Sequence, residues 1–132
     1  MTLVKYIEHG DKRHAVVVRA NYKNKQVDFF TDNDNEFQMG MFTRGAGYQV
    51  FPHKHVCNSF QISSVQEYIL IKFGKLRIEF FTDDGVKIDE VILTTGDSVL
   101  TMTGGHGITF LEDTSILEIK QGPYSENKKV YF

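Results

Sequence analysis

The sequence is poor in the features that mark secreted, membrane-spanning or nucleic-acid-binding chains. Cys57 is the only cysteine among 132 residues, so no disulfide can form within the chain and a disulfide-rich scaffold is excluded. No apolar run approaches the ~18 residues of a membrane span, and the first residues lack the apolar stretch of a signal peptide. The lysines and arginines are scattered and the formal net charge is −2, which gives no support for nucleic-acid binding. We therefore predict a soluble, cytoplasmic protein with neither a membrane nor a nucleic acid as partner.

The chain has enough bulky apolar material to bury a core. Apolar residues make up 41% of it, with eleven Phe and six Tyr. Short runs of β-branched and aromatic residues recur between turn signals rich in Gly, Asp and Asn, a pattern typical of an all-β sandwich or barrel. A short helical turn before Ala15 or within Val56–Val65 is left open. The predicted strands are Ala15–Arg19, Val27–Thr31, Phe37–Thr43, Tyr48–Phe51, Tyr68–Phe73, Leu76–Thr82, Val86–Leu93, Ser98–Met102, Ile108–Leu111 and Ile116–Ile119.

The clearest local prediction is a hairpin over Leu76–Leu93. Its first half alternates apolar and charged residues, as expected of a strand with one buried face. Asp83-Asp84-Gly85 then supplies residues that tolerate a positive φ at the turn.

Two closely spaced histidines are the first candidate metal ligands in the sequence. His53-Lys54-His55 follows the predicted strand Tyr48–Phe51, and residues i and i+2 of a strand point to the same face. Two imidazoles on one face can converge on one ion, and neutral imidazole suits Zn, Cu, Fe and Ni. The alternative is a pair of surface or half-buried histidines beside a proline.

Glycines and a glutamate at regular distances surround this pair. Gly47 precedes it, and Glu67 is followed by Gly74. Further along, Gly96 opens a predicted strand that runs into Gly104-Gly105-His106-Gly107. These residues resemble the two sequence motifs of the cupin superfamily, except that Met102 stands where the second motif has proline and His106 comes one residue early.

The resemblance implies the fold and its organisation. We expect a single-domain cupin-type β-barrel, also described as a double-stranded β-helix or jelly roll. The domain would cover residues 1–132, with the barrel core at about 27–122 and N-terminal strands within 1–26. The resemblance also implies a homodimer.

Cupins commonly hold a metal with three histidines and a glutamate, which implies His53, His55, Glu67 and His106 as ligands here. Zn, Ni, Mn, Fe or Co would suit such a set, and the sequence does not choose among them. Residues 56–66 separate the first two ligands from Glu67, a longer stretch than the family motif has. Glu67 is preferred because its spacing to Gly74 fits, and because residues 56–66 contain no Asp, Glu or His.

Several functions are compatible with such a site, and whether the protein is an enzyme is left open. The resemblance favours a metal-dependent isomerase or epimerase acting on a small polar molecule such as a sugar or sugar phosphate. An Fe(II) dioxygenase and a non-catalytic, metal-dependent binding module are the alternatives, and a structural role is a third. The sequence indicates no separate general base, so the catalytic residues are unknown.

Other residues carry weaker expectations. Cys57 is predicted to be a small buried thiol, with metal ligation as the alternative. Loop Val56–Val65 is either a lid over the site or a variable surface loop, and His9 and His14 are expected at the surface. A last group of polar residues was expected to lie mostly on solvated faces, with some members pointing inward to bind a ligand: Arg44, Tyr48, Gln49, Lys72, Arg77, Glu118 and Lys120.

Overall fold

The computed structural model describes residues 2–124 and 129–132, in which all helix-or-strand structure is strand. This strand content confirms the prediction of an all-β protein. No helix in these ranges is long and apolar enough to cross a bilayer. The strands are β1 (Val4–His9), β2 (Lys12–Val18), β3 (Val27–Phe29), β4 (Gly40–Phe42), β5 (Glu67–Phe73), β6 (Lys75–Phe81), β7 (Lys87–Thr94), β8 (Ser98–Thr101), β9 (Gly105–Phe110) and β10 (Ser115–Lys120).

One compact unit, Met1–Tyr22 with Ser64–Phe132, contains two antiparallel sheets. The larger sheet has the order β1-β2-β8-β5-β10 and the smaller the order β7-β6-β9. Buried apolar side chains from both sheets form one cluster, so the two sheets enclose a common core in the manner of a β-sandwich. Within the described residues the sheets stay separate and do not close into one barrel. The finer jelly-roll prediction stays a prediction.

The hairpin β6–β7 forms as its sequence predicts. Leu76, Ile78 and Phe80 are at most 1% exposed and face the core, while the residues between them remain partly accessible. Gly85 adopts a φ of 85° at the turn, a conformation that favours glycine. This hairpin forms two of the three strands of the smaller sheet.

The core-facing side of the larger sheet ends in a row of polar residues. Directly opposite residues of neighbouring strands share a face. Thr101, Glu67 and Lys120 are opposite one another on β8, β5 and β10, and the next row contains Ile69 and Glu118. Because Ile69 is 1% exposed and belongs to the core, the charged residues of both rows lie on the inward side of the sheet.

The opposite end of β8 carries a buried ion pair. Asp97, the residue before β8, accepts hydrogen bonds from Arg19 Nη1 at 3.0 Å, from the Ala20 amide at 2.9 Å and from the Thr94 amide at 2.8 Å. Arg19 follows a strand of the larger sheet, whereas Thr94 ends a strand of the smaller one. One carboxylate therefore ties the two sheets together at this end.

The N-terminal strands are part of this sandwich. N-terminal strands were expected within residues 1–26, although the range of β1 was not among the predicted strand ranges. β1 pairs with β2, and β2 pairs in turn with β8. Ile7 and Ala15 from these strands belong to the core. The surface location predicted for His14 is wrong: the residue is 5% exposed, because β2 is an interior strand of its sheet. His9 is exposed, as expected.

The second compact unit, Lys23–Ser63, contains the short hairpin β3–β4. Gly40 makes room for the Phe29 ring, since a Cβ at this position would lie 2.8 Å from a ring carbon. Phe29 and Phe42 then pack edge to face, with 5.7 Å between their ring centres.

The predicted strand Tyr48–Phe51 is not formed. A turn leads into this segment, with the Tyr48 amide donating to the Gly45 carbonyl at 3.2 Å, and residues 48–51 have no regular secondary structure. Val50 and Phe51 are 71% and 77% exposed. A strand requires a partner for its backbone groups, and this segment pairs with no other strand of the described residues.

Candidate metal centre

Glu67 and His106 meet although they come from different sheets. Glu67 begins β5 on the inward side of the larger sheet. His106 is opposite the buried Phe80 and so shares its inward face on the smaller sheet. The distance from His106 Nε2 to Glu67 Oε2 is 3.8 Å, which is too long for a hydrogen bond. Two of the four ligands expected from the sequence therefore converge within the first unit.

Glu118 joins this pair from the neighbouring strand β10. Burial, a hydrogen bond with Glu118 and the repulsion of the Glu118 negative charge, in that order of size, together raise the pKa of Glu67 to about 7. The same hydrogen bond lowers the pKa of Glu118 below its usual value. The two carboxyl groups thus share one proton near neutral pH, with the proton residing on Glu67.

Two lysines place positive charge beside this acidic pair. The ammonium groups of Lys120 and Lys129 oppose the rise in the pKa of Glu67. Burial lowers the pKa of His106, and Lys129 lowers it further against the opposing effect of Glu118. A lowered pKa keeps the imidazole neutral at physiological pH, which is the form that binds a metal.

His53 and His55 lie close together in the second unit. Their ring centres are 5.1 Å apart, although the strand expected to align them is absent. His53 Nδ1 lies 2.8 Å from the Phe51 carbonyl oxygen. A carbonyl can only accept, so this contact favours the tautomer of the neutral imidazole in which Nδ1 carries the proton and Nε2 has the lone pair. Such an outer hydrogen bond is typical of histidines that ligate metals.

The four predicted ligands are thus found as two pairs, one in each unit. Among residues 2–124 and 129–132, no group of three or more His, Cys, Asp or Glu side chains is arranged to hold a metal ion. The cluster of Glu67, Glu118 and His106 is therefore a pair of candidate ligands with a neighbouring carboxyl group.

Other sequence expectations had mixed outcomes. Cys57 is exposed, so the prediction of a buried thiol is wrong. Loop Val56–Val65 contains neither helix nor strand, and its role as a lid stays a prediction. Glu118 and Lys120 belong to the polar group expected to be mostly solvated with some members pointing inward. Both are on the inward side of the larger sheet and both remain exposed, at its edge strand. No sequence pattern indicates Lys129, whose positive charge acts on Glu67, Glu118 and His106.

Comparison with known proteins gives no match: no protein-family model, no curated protein and no solved structure matches the chain.

Proposed function

We propose that the protein is a metal-binding protein of the cupin type, with His53, His55, Glu67 and His106 as candidate ligands for a divalent ion. The observation that carries the proposal is the approach of His106 to Glu67 from two different sheets, at 3.8 Å between Nε2 and Oε2. Thirty-eight residues separate them along the chain, and the motif resemblance independently indicates both as ligands.

The spacing of each pair suits a shared ion. Metal–nitrogen and metal–oxygen distances of about 2.0–2.2 Å put two ligand atoms of one ion roughly 3–4 Å apart. Glu67 and His106 fall in this range. Two imidazoles on one ion have ring centres roughly 4.5–6 Å apart by the same reasoning, and His53 and His55 are 5.1 Å apart. Imidazole and carboxylate donors together suit Zn, Ni, Mn, Fe or Co.

The activity we propose is isomerisation or epimerisation of a small polar molecule such as a sugar or sugar phosphate. A bound divalent ion would polarise a carbonyl or hydroxyl oxygen of the substrate. Such a reaction also needs a side chain that moves a proton. Our candidate for this role is Glu118, because its carboxyl group hydrogen-bonds to Glu67 and lies on the inward face of its sheet.

Elemental analysis of the untagged protein is the primary test. We expect about one equivalent of a transition metal per chain in the wild type, and loss of it in His53→Ala and in His106→Ala. His9→Ala is the matched control, because His9 is an exposed histidine outside the proposed site, and it should retain the metal. Circular dichroism would establish that each variant remains folded.

The outcomes separate the alternatives. Absence of metal from the wild type, even after reconstitution with each candidate ion, would refute the proposed site. Retention of metal in both His→Ala variants would show that the ion lies elsewhere. If metal is present, assays with aldose and ketose phosphates test the isomerase proposal. Ligand-induced thermal stabilisation without turnover would identify a binding module, and bound Fe with oxygen uptake would identify a dioxygenase.

A further inference from the structure

The last strand of the larger sheet, β10, has a free edge. It ends the order β1-β2-β8-β5-β10, and no strand within residues 2–124 and 129–132 pairs with its outer side. Five of its six residues are exposed, including Leu117 at 50% and Ile119 at 54%. A strand that ends a sheet in this way is a template for pairing with another strand, so this edge is a candidate interaction surface.

The hydrogen bonds of β5 show which backbone groups of β10 are free. The Ile71 amide donates to the carbonyl of the residue before β8, at 3.0 Å, so its backbone groups point toward β8. Successive residues of a strand direct these groups to opposite sides, and those of Tyr68 therefore point toward β10. Because Tyr68 is opposite Ile119, the backbone of Ile119 is used in pairing with β5. The backbone groups of its two neighbours, Glu118 and Lys120, point into the free edge.

The charges of β10 restrict which strand this edge can accept. In an antiparallel pairing of two β10 strands centred on Ile119, Glu118 of each copy is directly opposite Lys120 of the other. A register centred on Glu118 would instead place two glutamates opposite each other. A register centred on Leu117 would place Glu118 opposite the apolar Ile116. Since opposite charges stabilise a cross-strand pair and like charges destabilise it, the register centred on Ile119 is favoured among the three.

We propose that β10 pairs with β10 of a second copy of this chain, antiparallel and centred on Ile119, to form a dimer with two-fold symmetry. A homodimer was expected from the sequence, and β10 gives it a particular surface. The two five-stranded sheets would join into one continuous sheet. The Ile119 side chains meet at the symmetry axis, and the diagonal neighbour of each is Leu117 of the other copy, which removes apolar surface from water. No metal ion takes part, so the dimer is independent of the proposed metal-binding function.

Sedimentation equilibrium of the full-length protein, in chelator and at low salt, measures the dissociation constant of the dimer. The chain has a mass of 15.2 kDa, and the dimer has twice that mass. We expect Glu118→Lys and Lys120→Glu each to weaken dimerisation roughly 10- to 100-fold, because each change places two like-charged pairs in the interface. An equimolar mixture of the two variants should dimerise about as tightly as the wild type, since both cross-strand pairs then have opposite charges. The control Glu90→Lys changes an exposed glutamate of another edge strand, β7, and should match the wild type.

Disulfide cross-linking tests the register. The background is Cys57→Ser, because Cys57 is an exposed thiol. Ile119→Cys would place two thiols opposite each other at the axis, where the Cα atoms of such a pair are about 4.5 Å apart, within the range of a disulfide. The control Leu117→Cys has similar exposure on the same strand, but its two thiols would lie roughly 13 Å apart. We expect mild oxidation to cross-link Ile119→Cys and to leave Leu117→Cys uncross-linked.

Three results would overturn the proposal. The first is a wild type that stays monomeric at millimolar concentration. The second is a dimer that tolerates both charge reversals, or that is not restored by mixing the two variants. The third is cross-linking through Leu117→Cys in place of Ile119→Cys, which would show another register. Circular dichroism checks that each variant is folded. Glu118→Gln and Lys120→Gln replace any charge reversal that unfolds, and they should weaken the dimer by a smaller factor.

Discussion

Replacing Glu67 by glutamine should change how the stability of the metal-free protein depends on pH. Burial is the main cause that raises the pKa of Glu67 from 4.5 to about 7, with the Glu118 hydrogen bond second. A carboxyl group with a raised pKa binds its proton more tightly in the folded chain than in the unfolded one. Its stabilising contribution is therefore complete below pH 4.5 and is lost as the pH rises to 7 and beyond. The wild type should thus become less stable across this window.

The structure sets the size of the effect. A shift of about 2.5 pKa units corresponds to at most about 3.4 kcal/mol, at 1.36 kcal/mol per unit. The Glu67 side chain is only 18% exposed, so solvent screening should reduce this free energy only modestly. The lowered pKa of Glu118 contributes stability that is lost only below pH 4.5, so it stays constant between pH 5 and pH 8. We expect Glu67→Gln to be more stable than the wild type by about 2 kcal/mol at pH 8, and that gain to be much smaller at pH 5.

Urea unfolding in the presence of a chelator, at pH 5, 6, 7 and 8, measures this difference directly. Glu79→Gln is the matched control, because the Glu79 carboxylate pairs with Lys87 at 2.9 Å and its pKa is lowered by that interaction. Its difference from the wild type should be constant over the same range. If Glu67→Gln and the wild type lose stability in parallel between pH 5 and pH 8, Glu67 does not hold a shared proton and our description of the cluster is wrong.

Two further predictions concern the framework. Asp97→Ala should lower the free energy of unfolding, measured in urea, by about 3–5 kcal/mol, because it leaves the Arg19 charge buried without its carboxylate partner. The control Asp89→Ala removes an exposed ion pair and should lower it by less than about 1 kcal/mol. Gly74→Ala should lower thermal stability by more than Gly10→Ala does, since both have a positive φ but only a Cβ at position 74 would overlap neighbouring atoms. Equal losses within either pair would contradict the packing described here.

Local sequence patterns predicted those strands whose pairing partner is the next strand along the chain. The hairpin β6–β7 follows from the alternation around Ile78 and from the turn glycine Gly85, and both are found as expected. The segment Tyr48–Phe51 has equally strong strand propensity and forms none. Propensity describes a strand that already has a partner, and the sequence does not show which segments find one.

The same limit explains why Glu118 was not identified as part of the site. In β10 the apolar Leu117 and Ile119 alternate with Glu118 and Lys120, a pattern that predicts charged residues outside. The structure has the reverse orientation, with Leu117 and Ile119 each at least 50% exposed. The orientation of an edge strand is set by the register of its pairing with β5. His106 and Glu67, by contrast, were predicted from the resemblance to two sequence motifs, and their role as metal ligands stays a prediction.

The short connection between β8 and β9 has a consequence for the candidate metal centre. The Asp97 ion pair joins the two sheets at the start of β8, whereas Glu67 pairs with Thr101 at the other end of that strand, about 13 Å away. There, residues 102–104 alone connect β8 of the larger sheet to β9 of the smaller sheet. The two sheets are therefore linked at both ends of β8, by an ion pair at one end and by the chain itself at the other. Glu67 and His106 lie beside the covalent link, which limits how far these two side chains can separate.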